Sequence, residues 1–83
     1  MITQDAIDSA YAFFHQKWRV YEFSHSDGQK DDIEYAISSY VDQMDRDLYE
    51  RLAHGREAFL QDHTTFPEDM QEALKELSAA VGT

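Results

Sequence analysis

Six of the chain's eleven aromatic residues fall between Tyr11 and Phe23: Tyr11, Phe13, Phe14, Trp18, Tyr21 and Phe23. At about 100° per residue, Ile7, Ala10, Tyr11, Phe14, Trp18 and Tyr21 share one arc of a helix. Ile2, Ala6, Phe13 and Val20 fill the adjoining arc. A helix lying on one neighbour needs an apolar stripe only a little over ~100° wide. This one is apolar over about half its cylinder, so it must touch two neighbours, or one neighbour and a partner. A closed three-helix bundle covers the second face, which carries Phe13 and Val20; otherwise a second copy or another protein does.

The first helix is expected over residues 4–23, with Asp5 and Asp8 at the positive end of its dipole. Ser24-His25-Ser26-Asp27-Gly28-Gln29 reads as a turn cluster connecting two helices. Asp31 and Glu34 have capping-box spacing. Ile33, Ile37, Tyr40, Val41, Met44, Leu48 and Leu52 then recur at intervals of three and four, and Gly55 supplies a left-handed stop. A second helix is expected over 32–54, supported by Asp42–Arg46, Arg46–Glu50 and Asp47–Arg51 charge pairs four residues apart.

Residues 56–63 read either as a short helix burying Phe59 and Leu60 or as a continuation of the second helix, and the cost of Gly55 in a helix interior favours a break. Thr65 and Glu68 again have capping spacing, with Pro67 in the first turn. Met70, Ala73, Leu74, Leu77 and Val81 form the inner stripe of a last helix over 66–81, ending near Gly82. No strand pattern or internal repeat competes. The fold class is all-α: one domain over residues 1–83, a small antiparallel bundle of three long helices with the 56–63 segment as a short fourth.

Seventeen acidic residues against seven Lys and Arg leave a net charge of −10, spread as −2 over residues 1–29, −4 over 30–54 and −4 over 55–83. Such a field repels phosphate backbones and anionic lipid, so neither direct nucleic-acid binding nor membrane binding is expected. It suits a basic protein partner, or simple solubility. The chain has no cysteine, which removes disulfides and thiolate metal sites and leans toward a reducing compartment. No signal-peptide pattern and no run of about 18 apolar residues is present, so a cytoplasmic location is expected.

Motifs for chemistry are weak. Glu22-Phe23-Ser24-His25 is a single Glu-x-x-His at the end of a helix, where bundle metal sites use two. Aligning Asp27-Gly28 on a calcium loop puts Phe23 at the first ligand position and Lys30 at the usual apolar one, which excludes it. His54 and His63, nine apart, match no ligand spacing, and His54 reads as a helix-end residue. No metal ligand, cofactor or catalytic residue is assigned. A bundle this small leaves little volume for a shaped pocket, and no enzyme is expected. His15, Lys17 and Arg19 around Trp18 form a basic cluster scattered by angle, with Lys17 snorkelling along the apolar arc.

Tyr35 and Tyr49 lie opposite the stripe of the second helix, with Asp42 and Arg46 between them. Exposed tyrosine beside charge is interface-like; the alternative is packing beneath the 56–63 segment. The candidate interaction surface is therefore Phe13, Val20, Tyr35, Asp42, Arg46 and Tyr49. The expected function is protein–protein contact, as an adaptor, regulator or inhibitor, with a homodimer one way to cover the apolar surplus. The alternatives are an acidic decoy of the immunity type, occupying the nucleic-acid groove of a basic partner, and a metal- or cofactor-binding bundle with inward-facing His and Glu.

Overall fold

A computed structural model describes residues 2–81. The described residues form four helices and no strand: α1 (Gln4–Phe23), α2 (Asp27–Gln43), α3 (Arg46–Ala53) and α4 (Phe66–Ala80). The chain is all-α, as its periodicities require, and α1 has the expected bounds. Thr3 caps α1, its Oγ1 accepting from the Ala6 amide at 3.1 Å.

α1 is the central element and packs on both α2 and α4, while α3 packs on α4. Both neighbours of α1 run antiparallel to it. Phe13 meets Tyr40 while Lys30 covers Tyr21, so early α1 lies beside late α2. Tyr21 meets Phe66, and Gln4 reaches the Ala80 carbonyl, so early α1 lies beside late α4. Phe14, Phe59, Phe66, Ile37, Leu48, Leu52, Leu60, Met70 and Leu77 are fully buried. Each such side chain contributes about 1.5–3 kcal/mol of transfer free energy.

The second apolar arc of α1 is only partly covered. The Phe13 ring stacks on Tyr40 at 4.5 Å, and the Lys17 ammonium lies over the Phe13 ring, 5.5 Å from its centroid. Val20 is 52% exposed, and Phe23 at the helix end is 75% exposed.

Between Ile33 and Leu52 the structure departs from one continuous helix. The chain leaves helical geometry at Met44, and Asp45 starts α3 by accepting from the Leu48 amide at 3.1 Å. An Asp side chain offers the backbone an alternative to the helical ladder, and no Gly or Pro marks the break. Leu48 and Leu52 stay buried because the three-to-four spacing survives a change of axis. The start of α2 is also earlier than expected. Ser26 is its cap, accepting from the Gln29 amide, so Asp27 and Gly28 are helical and Asp31 caps nothing. The left-handed stop of α3 is taken by His54 itself, with Gly55 following at positive φ.

Residues 56–63 form neither a short helix nor an extension of α3. From His54 to Thr65 the chain is a series of turns whose Phe59 and Leu60 side chains are buried, a compact loop packed by its own side chains. Its fixed point is Asp69 in the first turn of α4, a carboxylate only 2% exposed. Asp69 accepts from the Leu60 amide at 3.0 Å and from Thr65 Oγ1 at 3.1 Å, and it faces Arg56 Nη1 at 3.3 Å. Thr65 occupies the α4 cap position without a side-chain bond to the helix amides, because its hydroxyl is committed to Asp69. α4 ends at Ala80, one residue short of the expected bound, and Val81, expected on its inner stripe, is instead an exposed C-cap in extended backbone; Gly82 lies outside the described residues.

Candidate functional site

The six residues of the expected interaction surface fall in three places. Asp42, Arg46 and Tyr49 meet at the α2–α3 break, where with Val41, Met44 and Gln61 they line an open hollow of about 290 Å³. The hollow is polar and already internally bonded. Gln61 Nε2 donates to Asp42 Oδ1 at 2.9 Å, and Arg46 pairs with Glu50 at 3.3 Å. Tyr49 is half-buried, tilted against Phe59, and its hydroxyl donates to the Phe59 carbonyl at 3.0 Å. Burial raises its pKa, an effect that Arg46 and this hydrogen bond partly oppose.

Phe13 belongs to the α1–α2 seam described above, and Val20 lies further along the same face of α1. There Arg19, Val20, Phe23, Ser24 and Gln29 surround a shallow depression. Tyr35 stands apart on the outer face of α2, 76% exposed. The break at Asp45 separates it from Tyr49, which the single helix expected from the sequence would have placed on the same side.

Three of the seven Lys and Arg side chains lie against aromatic rings. Lys17 and Lys30 each sit 5.5 Å from an aromatic centroid, on Phe13 and Tyr21. Arg56 lies 4.6 Å from the Phe59 centroid while facing Asp69 and Glu72. α2 by contrast carries Asp27, Asp31, Asp32 and Asp42, all exposed.

All four histidines are exposed, so none points into the core. His25 lies in the α1–α2 turn just beyond Glu22, and His15 stacks on Tyr11 at 5.6 Å. The other two pin the ends of the 54–65 segment. His54 Nε2 is 3.0 Å from Glu76 on α4, and His63 Nδ1 is 2.9 and 3.0 Å from the two oxygens of Glu34 on α2. Asp31, one turn before Glu34, joins the second pair: donor atoms of Asp31, Glu34 and His63 all lie within 4.8 Å of one another. The hydrogen bond and charge of Glu34 raise the His63 pKa. The Tyr21 phenol beneath is raised by burial and then by Glu34, Asp31 and Glu68.

Asp31 and Glu34 share a helix face by spacing alone, but the arrival of His63, 29 residues from Glu34, has no signal in the sequence. Asp69 likewise reads as an ordinary first-turn acid. The chain matches no protein-family model, and no curated protein or solved structure matches it at a significant level.

Proposed function

We propose that this chain is a non-catalytic protein-binding module whose acidic helical surface engages a basic partner. The observation that carries this reading is the sorting of charge. Lys17, Lys30 and Arg56 are held against rings of the protein itself, while Asp27, Asp31, Asp32 and Asp42 of α2 are exposed. Exposed aspartates on a chain of net charge −10 steer a basic protein toward that surface. Val20, Phe23 and Tyr35 supply exposed apolar and aromatic area of the kind that anchors an interface once the partner arrives. An acidic decoy for a nucleic-acid groove would use the same charges without these apolar anchors.

The reading is tested by affinity capture at low and high salt, comparing the wild-type chain with Val20→Ser/Phe23→Ser and with Asp27→Asn/Asp32→Asn. A basic partner whose association slows as salt rises, and which is weakened by both double substitutions, supports it. Capture that ignores the apolar pair and follows only the acids indicates the decoy. A partner of acidic or neutral surface, bound with a salt-independent on-rate, overturns the charge mechanism.

A further inference from the structure

We propose that Asp31 and Glu34 of α2, together with His63 of the 54–65 segment, form a surface site for a divalent transition-metal cation of zinc's class. The donors come from two elements far apart in sequence and converge without help from any other histidine. Zinc bonds to imidazole and carboxylate at about 2.0–2.2 Å, which sets tetrahedral donors about 3.3 Å apart. His63 Nδ1 and the Glu34 oxygens, at 2.9 and 3.0 Å, are already near that spacing. The Asp31 oxygen lies within 4.8 Å of the other donors, on an exposed side chain.

The charges match as well. Two carboxylates and a neutral imidazole balance a dication. The Glu34 side chain is only 15% exposed, so its orientation toward His63 is held by packing, while His63 is 75% exposed and open to solvent. One nitrogen and two carboxylate donors suit zinc and its neighbours better than magnesium or calcium, which take oxygen-only sets. Three protein donors leave the fourth position to water, the pattern of an exchangeable site. Occupancy would clamp residues 62–64 to α2 more firmly than the present hydrogen bond.

The test is titration of the full chain with Zn²⁺ by calorimetry, with Mg²⁺ and Ca²⁺ in parallel, and with ¹⁵N spectra to locate the site. One equivalent of Zn²⁺ is expected to bind and to shift the His63 ring together with amides near Asp31, Glu34 and His63. His63→Ala and Glu34→Gln should each weaken binding by at least about tenfold, since even outer-shell losses cost about that much. Asp31→Asn should weaken it as well. His54→Ala, which removes the other histidine–glutamate pair, should leave it unchanged. Circular dichroism confirms that each variant keeps its helices. No zinc binding at millimolar concentration, binding undiminished by His63→Ala, loss that follows His54→Ala, or equal affinity for Mg²⁺ would each overturn the proposal.

Discussion

The Leu60 amide donates to Asp69 Oδ2 across 3.0 Å in the buried interior, joining the tightest turn of the 54–65 segment to the first turn of α4. Leu60 has a φ of 64°, a conformation that a non-glycine residue holds only when its surroundings enforce it. Here they do so twice, through the buried side chain and through the carboxylate. Asp69→Ala strands that amide and releases Thr65 and Arg56. Loss of one buried partner costs about 1–3 kcal/mol, and the variant should lose at least about 2 kcal/mol in urea denaturation. An unchanged midpoint would show that Asp69 does not organise the segment.

Ala58, exposed and at φ 55°, carries the same strain without Leu60's burial. Relief of a left-handed residue is worth about 1–2 kcal/mol, and the extra freedom of glycine in the unfolded chain returns about 0.4–1. Ala58→Gly should therefore stabilise the protein by up to about 1.6 kcal/mol. A lower melting temperature would contradict this account of the turn.

Leu48 sits at the hinge side of α3, 2% exposed. An unpaired carboxylate there costs several kcal/mol against a total stability of about 4–12 kcal/mol for a chain of this length. Leu48→Asp should unfold the protein, and Tyr40→Asp, which also destroys the stack on Phe13, should destabilise it strongly. Native-like circular dichroism and melting for Leu48→Asp would mean that the inner face of α3 is misassigned.

Phe13 and Val20 share a helix face but not an environment. Phe13→Ala removes a half-buried ring from its stack on Tyr40 and should cost about 1.5–3 kcal/mol. Val20→Ser should change stability by no more than about 0.5 kcal/mol, while lowering the apparent mass in light scattering or the capture of a partner if that face is an interface. Equal stability losses from the two would show that Val20 is covered within the monomer.

The His63–Glu34 pair gives stability a defined pH dependence. The hydrogen bond to Glu34 raises the folded-state pKa of His63 above its ordinary 6.5. The stabilisation is fully present below pH 6.5 and fades as pH rises through the folded value. In an NMR titration His63 should ionise above 6.5, returning toward that value in Glu34→Gln. An unshifted His63 in the wild-type chain would show that the pair does not persist in solution.

How much of this was legible depended on the range over which each signal acts. The span of α1 was readable because Asp5, Asp8, the apolar arcs and the turn at Ser24 are all local. α4 was readable to within one residue, since Pro67 and the stripe from Met70 to Leu77 are local too. The break at Asp45 escaped because the apolar spacing runs through it unchanged, and an Asp in a charged helix looks like any surface acid. The candidate surface was legible only in part. Tyr49 sits where the loop can reach it and Tyr35 where nothing does, a difference that helix angle alone does not encode.

The sequence by itself determined that this chain is helical, which faces of α1 and α4 turn inward, and that its surface is strongly acidic. Those properties follow from the side chain at each position and its spacing to neighbours within a turn or two. Tertiary structure decided the course of residues 54–65, the burial of Asp69 and the meeting of His63 with Glu34 and Asp31. Each of these rests on a contact between distant segments. Burying Phe59 and Leu60 brings the loop's polar backbone inside, and a carboxylate from α4 satisfies the Leu60 amide there.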